Sequence, residues 1–140
     1  MKILTAVLFS LLSFSALAHK VEFFAGDRII DQYGNTGVID CVFNNNTAEI
    51  YLDQYSGSFV RNLTTLGKGY RCIEKICVGR KIVDQYGNTG RIKELFHTGM
   101  AKISLDQYST FFTRNLASLG FSLKCLSDDS CNLESDIINQ

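Results

Sequence analysis

The chain has no proline and no tryptophan, only two histidines and two methionines, and no net charge: Lys+Arg 14 against Asp+Glu 14. Without proline there is no polyproline spacer and no proline-stiffened linker. With balanced charge there is no bulk electrostatic drive toward nucleic acid or an anionic lipid surface. His19 and His97 are the only imidazoles, which leaves little material for metal ligation or for activating a nucleophile. Past residue 18, no apolar run nears the roughly 20 residues a helical membrane span needs. At 140 residues the chain is too short for a large enzyme barrel. Apolar residues make up 46% and charged residues 20%, which fits a packed globular chain and argues against disorder.

The N-terminal 18 residues carry the longest apolar stretch. Lys2 supplies a positive start, Ile3 to Phe14 is broken only by Thr5, Ser10 and Ser13, and Ala16-Leu17-Ala18 is a small-x-small box. This pattern predicts a secretory signal peptide over 1–18, with His19 as the first mature residue. The run is short for a membrane anchor, and no cysteine at the box marks a lipoprotein. The expected location is outside the cytoplasm, periplasmic or extracellular.

Self-similarity is the main signal in the rest of the chain. Residues 26–72 and 79–125 align at a constant offset of 53 without gaps, and 25 of 47 positions are identical. Asp-Gln-Tyr occurs twice in each: at Asp31, Asp53, Asp84 and Asp106, each followed by Gln and Tyr. The organisation read from this is a first repeat over 19–73, a second over 74–125 and an acidic tail over 126–140. Paired apolar positions include Ile29/Ile82, Ile39/Ile92, Phe43/Phe96, Ala48/Ala101, Ile50/Ile103, Leu52/Leu105, Phe59/Phe112, Leu63/Leu116 and Leu66/Leu119. In Ala48-Glu49-Ile50-Tyr51-Leu52 every second residue is apolar, the period of a half-buried strand. Gly34-Asn35-Thr36-Gly37 and Asn44-Asn45-Asn46-Thr47 are turn sequences. The first repeat is predicted to hold strands near 27–31, 38–43, 48–53, 59–63 and 69–72. A single helical turn at Thr64-Thr65-Leu66-Gly67 precedes the last of them.

This layout resembles an SH3-like small barrel. The Gly-Asp-x-Ile…Gly-x-Ile…Ala-x-Ile-x-Leu-Asp pattern is similar to that of KOW and Tudor-type barrels. Arg61-Asn62-Leu63 and the Asp-Gln-Tyr elements resemble those of repeated exported bacterial proteins of unassigned activity. The expected fold class is therefore all-β, as two tandem five-stranded SH3-like barrels; the alternative is one merged β-sandwich. The peptide-binding SH3 signature is missing, with no tryptophan and no Ala-Leu-Tyr-Asp-Tyr run, so proline-rich ligands are not implied.

The five cysteines are Cys41, Cys72, Cys77, Cys125 and Cys131. In an exported chain, repeat symmetry favours the bridges Cys72–Cys77 and Cys125–Cys131. A zinc site on those four residues fits less well, because their spacings are longer than a zinc knuckle's and oxidation competes. Cys41 remains, aligned with Glu94, as a half-exposed free thiol or the seat of a homodimer bridge. The repeat places no base beside it for catalysis.

Asp31, Asp53, Asp84 and Asp106 stand at strand ends, where a carboxylate ordinarily caps backbone N–H groups. Asp-Gln-Tyr-Gly-Asn-Thr-Gly lacks the terminal Glu of a calcium loop. Converging carboxylates would suit a small secreted hydrolase, yet the whole element recurs in both repeats. Tyr33, Tyr55, Tyr86 and Tyr108 are not required by their turns, and with Arg61 and Arg114 they form the candidate ligand-binding set. The alternative roles are rings capping the barrel ends and arginines paired with a local Asp. No cofactor and no metal site is expected; copper at His19 would need His97 beside it.

The reading is an exported, non-catalytic binding or scaffold protein. Its expected partner is a peptide or a cell-wall polymer. Nucleic acid is not expected as a partner, nor is a membrane span in the mature chain. The other readings are the hydrolase and a self-associating structural envelope protein.

Overall fold

The computed structural model describes residues 21–125. The expected signal peptide, the acidic tail and Cys131 lie outside that range. Among the described residues the fold is all-β, with antiparallel sheets and two single turns of 3-10 helix.

The first segment (26–72) contributes β1 (Arg28–Ile30), β2 (Thr36–Val42), β3 (Thr47–Leu52), β4 (Ser58–Asn62) and β5 (Gly67–Tyr70). A 3-10 turn at Leu63–Thr65 precedes β5. A hairpin of β6 (Cys72–Ile73) and β7 (Ile76–Cys77) follows. The second segment (79–125) repeats the series as β8 (Lys81–Val83), β9 (Thr89–Phe96), β10 (Met100–Leu105), β11 (Phe111–Asn115) and β12 (Gly120–Phe121). Its 3-10 turn is Leu116–Ser118. In each segment the first four strands form an antiparallel meander and the fifth returns to the first.

The local causes are legible in the residues. Asn62 and Asn115 cap the 3-10 turns, each side chain accepting from a backbone N–H two residues on. In β3 the period-two pattern buries Ala48, Ile50 and Leu52 and leaves Tyr51 exposed. Gly37 is required by strand approach: a Cβ there would strike the Tyr51 carbonyl and lie 2.9 Å from Leu52 Cα. Gly90 meets the same obstacle at Ser104 and Leu105. Both long strands carry a bulge, at Asp40 in β2 and at Lys93 in β9, where the register to the next strand skips one residue.

Two apolar cores result. Ile29, Ile39, Ala48, Ile50, Leu52 and Leu66 form one; their counterparts Ile82, Ile92, Ala101, Ile103, Leu105 and Leu119 form the other, with Leu95.

The expected pair of closed barrels is not what the strands make. β5 pairs β1 on one edge and β9 of the other segment on its second edge, through Gly69 with Phe96 and Tyr70 with Leu95. His97 N donates to Lys68 O and Lys68 N donates to His97 Nδ1, each at 2.8 Å. The two meanders thereby join in one ten-stranded sheet. The joining resembles the merged alternative, but the cores stay separate. Strand pairing ends at β4, β11 and β12 among the described residues.

One expected core position departs from its twin. Phe96 is fully buried, whereas Phe43 is 44% exposed. The cause is the junction: β5 lies along the outer edge at Phe96, whereas Phe43 pairs only Thr47 of β3 and has no described strand on its outer edge. Ile30 is buried against Gly67 on β5, while its counterpart Val83 is 38% exposed.

Cys72 and Cys77 are joined by a disulfide across the β6–β7 hairpin. It pins the chain between the segments, and a loop this short contributes about 2 kcal/mol of unfolded-state restriction. The second expected bridge, Cys125–Cys131, ends on a residue outside the described range.

Candidate functional site: a cleft where the two segments meet

The Asp-Gln-Tyr turns come first, because they aim the tyrosines. Asp31 is buried; its Oδ1 accepts from Tyr33 N at 2.9 Å and Asn35 N at 2.8 Å, and its Oδ2 accepts from Asn35 Nδ2 at 3.3 Å. Asp84 makes the same three bonds to Tyr86 and Asn88. Burial pushes the Asp84 carboxyl up, but the bonds from Asn88 and Tyr86 and the charge of Arg114 outweigh it and leave it below the ordinary range. Both carboxylates therefore hold turns. With the backbone so fixed, Tyr33 and Tyr86 project outward, 70% and 72% exposed.

Tyr55 and Tyr108 belong to a second pattern, formed once per segment. Tyr55 meets Phe59 edge-on at 5.7 Å, and the Arg61 guanidinium lies 5.0 Å from the Phe59 ring centre. Tyr108, Phe112 and Arg114 repeat this at 5.5 and 5.0 Å. The arginines are thus held by rings, and each donates to a neighbouring backbone carbonyl, at Val60 and Thr113 respectively.

The segments touch around an ion-pair cluster. Arg28 bonds Asp53 of its own segment at 2.6 and 3.0 Å and Glu94 of the other at 2.8 and 3.0 Å. Lys102 Nζ lies 3.7 Å from Asp53 and 3.6 Å from Glu94, and donates to Thr36 Oγ1 at 3.3 Å. The Arg28 hydrogen bonds hold the Asp53 carboxyl down to about 2, with help from Thr36 and the charge of Lys102 and against partial burial. The hydrogen bonds of Asp53 and Glu94 raise Arg28 well above its usual value.

Beside this cluster opens a cleft of about 450 Å³, lined from the first segment by Tyr33, Asn35 and Gln54 and from the second by Lys102, Thr110 and Phe111. Thr36 and Asp53 of the ion-pair cluster, with Phe112 and Thr113, complete its wall, Thr113 standing against Gly34, where a Cβ would come within 2.9 Å of Thr113 Oγ1. Lys102 Nζ sits 4.7 Å over the Phe111 ring. Exposed rings beside amide, hydroxyl and ammonium groups offer apolar faces and directional hydrogen bonds to one ligand.

Of the six candidate binding residues, the cleft takes Tyr33 directly and receives the Tyr108–Phe112–Arg114 stack through Phe112. Tyr55 and Arg61 form the other stack, and Tyr86 does not line the cleft. Phe111, Lys102 and Gln54 were not anticipated. For two of them the signal was divergence: Phe111 and Lys102 replace Ser58 and Glu49 of the first segment, while Gln54 is matched by Gln107. A larger hollow of about 520 Å³, bordered by Phe23, Phe24, Leu63 and His97, contains none of the six.

Cys41 is exposed and free. Its hydrogen bond to Asp40 raises the thiol, as do slight desolvation and the nearby charges of Asp40 and Glu49, which disfavours a thiolate nucleophile. No protein family matches the sequence, and no curated protein is significantly similar to it.

Proposed function

We propose that the protein is an exported, non-catalytic binding module that holds a cell-wall glycan strand in the cleft between two SH3-like repeats. The observation that carries this reading is the meeting of Tyr33 from one segment with Phe111 and Lys102 from the other over a single cleft. Aromatic faces suit the apolar faces of sugar rings, and Asn35, Gln54 and Thr110 suit their hydroxyls. The SH3-like assignment is supported by the strand order β5-β1-β2-β3-β4 and the 3-10 turn before the last strand. Export is supported by the segment 1–18 and by the Cys72–Cys77 disulfide.

The test is co-sedimentation of the purified protein with isolated cell-wall polymer, with soluble glycan fragments and glycan-free stem peptides as competitors. Capture that glycan fragments reverse supports the proposal. Reversal by stem peptides alone would reassign the ligand to a peptide, and no capture at all would remove the cell-wall reading.

A further inference from the structure

The contact that joins the two segments is one-sided. The first segment offers Ile30, Gly67 and the outer edge of β5; the second offers Leu95, Phe96 and the outer edge of β9. The offset of 53 transfers each half of this contact to the opposite end of the chain. The first segment carries Val42 and Phe43 where the second carries Leu95 and Phe96, and both are exposed. The second segment carries Val83, Gly120 and Leu123 where the first carries Ile30, Gly67 and Tyr70. Leu123 is 83% exposed. Gly87, the counterpart of the packed Gly34, has open space around its Cβ position. Its partner would be Val60, the counterpart of Thr113, which is itself exposed.

We infer that copies of this chain associate end to end, the β12 end of one against the Val42–Phe43 edge of the next, reusing between chains the contact that joins the segments within one. The register follows from the internal one: Ser122 opposite Phe43 and Leu123 opposite Val42, as Gly69 faces Phe96 and Tyr70 faces Leu95. The occupant is a second copy because the chain already contains the matching half, in register, at its other end. Such a contact is head-to-tail, so it does not close at two and mass grows with concentration.

The charges set its strength. Inside the chain Arg28 and Lys102 meet Asp53 and Glu94. Between chains the counterparts are Lys81 and Asp106 against Cys41 and Glu49, one base facing two acids. The intermolecular contact is therefore the weaker of the two, reversible, and improved when Glu49 is replaced by the lysine of the second segment.

The test is sedimentation velocity of the purified protein over a concentration series, with Cys41→Ser as the background to remove disulfide-linked dimers. The expected result is a concentration-dependent mass that rises past the dimer. Phe43→Glu should weaken association at least about tenfold, since its counterpart Phe96 is fully buried in the internal contact, and Leu123→Glu measurably but less, since its counterpart Tyr70 is half-exposed there. Both sites are exposed, and circular dichroism checks that each variant stays folded. Glu49→Lys should shift the series to lower concentration. A protein that stays monomeric throughout, Glu49→Lys included, would overturn the inference, as would a mass that stops at the dimer or an association indifferent to Phe43→Glu and Leu123→Glu.

Discussion

Phe96 and Phe43 are the same residue at the same place in two nearly superposable sequence segments, yet one is sealed and the other faces solvent. Ile30 and Val83 differ in the same way from the other side of the contact. Each segment builds its own core from its own strands, and those cores match residue for residue apart from Leu95, whose counterpart Val42 is exposed. What differs is the neighbour. One segment lends its last strand to the other, and nothing in the described chain returns the favour. The asymmetry also accounts for Tyr33 lining the cleft: among the described residues its turn faces the second segment.

The largest test of this comparison is paired truncation. Phe96→Ala should lower the unfolding free energy by about 3–5 kcal/mol, as for a buried aromatic that leaves a cavity. Phe43→Ala should cost under about 1 kcal/mol, as at an exposed site. Urea denaturation measures both, and equal losses would break the comparison. A smaller difference is expected at the bulges. Glu94→Gln removes the carboxylate that bridges Arg28 and Lys102, and should cost about 1 kcal/mol, more at low salt than high. Cys41→Ser, at the equivalent position, should stay within about 0.5 kcal/mol.

Acid acts on the same junction. Asp53 has an ordinary value of 3.8 and is held at about 2 in the fold, so its contribution is complete above pH 3.8 and is lost as pH falls through 2. Its side chain is 36% exposed, and solvent screening reduces the contribution to about 1 kcal/mol. Thermal melts from pH 5 to pH 2 should show a loss that Asp53→Asn reduces, Asp84 still contributing. The smallest effect concerns His97, whose pKa is lowered from 6.5 by burial and by the charge of Lys68, while its Nδ1 accepts from Lys68 N. The unfolded chain takes up the proton first, so stability is greatest above pH 6.5 and declines as pH drops below it. His97→Gln should flatten that part of the profile, and a change at its counterpart Asn44 should not alter it.

The strands and the helical turn were legible because period-two patterning and a short turn before a glycine are local signals; the turn sits slightly earlier than expected, at Leu63–Thr65, because Asn62 caps it. Comparing the copies strengthened them: Ile50 and Ile103 agree because each meets the core of its own segment. The same comparison hid the junction. It treats Phe43 and Phe96 as equals, since identity between copies carries no information about which copy has a neighbour. The junction wrote itself instead into the differences, at Glu49/Lys102, Cys41/Glu94 and Ser58/Phe111. The turn role of Asp31 and Asp84 was readable from position alone. Arg61 and Arg114 were expected to offer a donor fork, to stack on a ring or to pair with an Asp; they lie over phenylalanine rings, a contact that depends on side chains two residues apart on the same strand face.

The central claim is that the ligand site exists once, where the segments meet, and not once per segment. Its most direct measurement is capture on isolated cell-wall polymer by Tyr33→Ala beside Tyr86→Ala, two exposed tyrosines on equivalent turns. The account predicts that Tyr33→Ala loses capture while Tyr86→Ala keeps it, both remaining folded. Equal loss in the two variants, or retention in both, would contradict it.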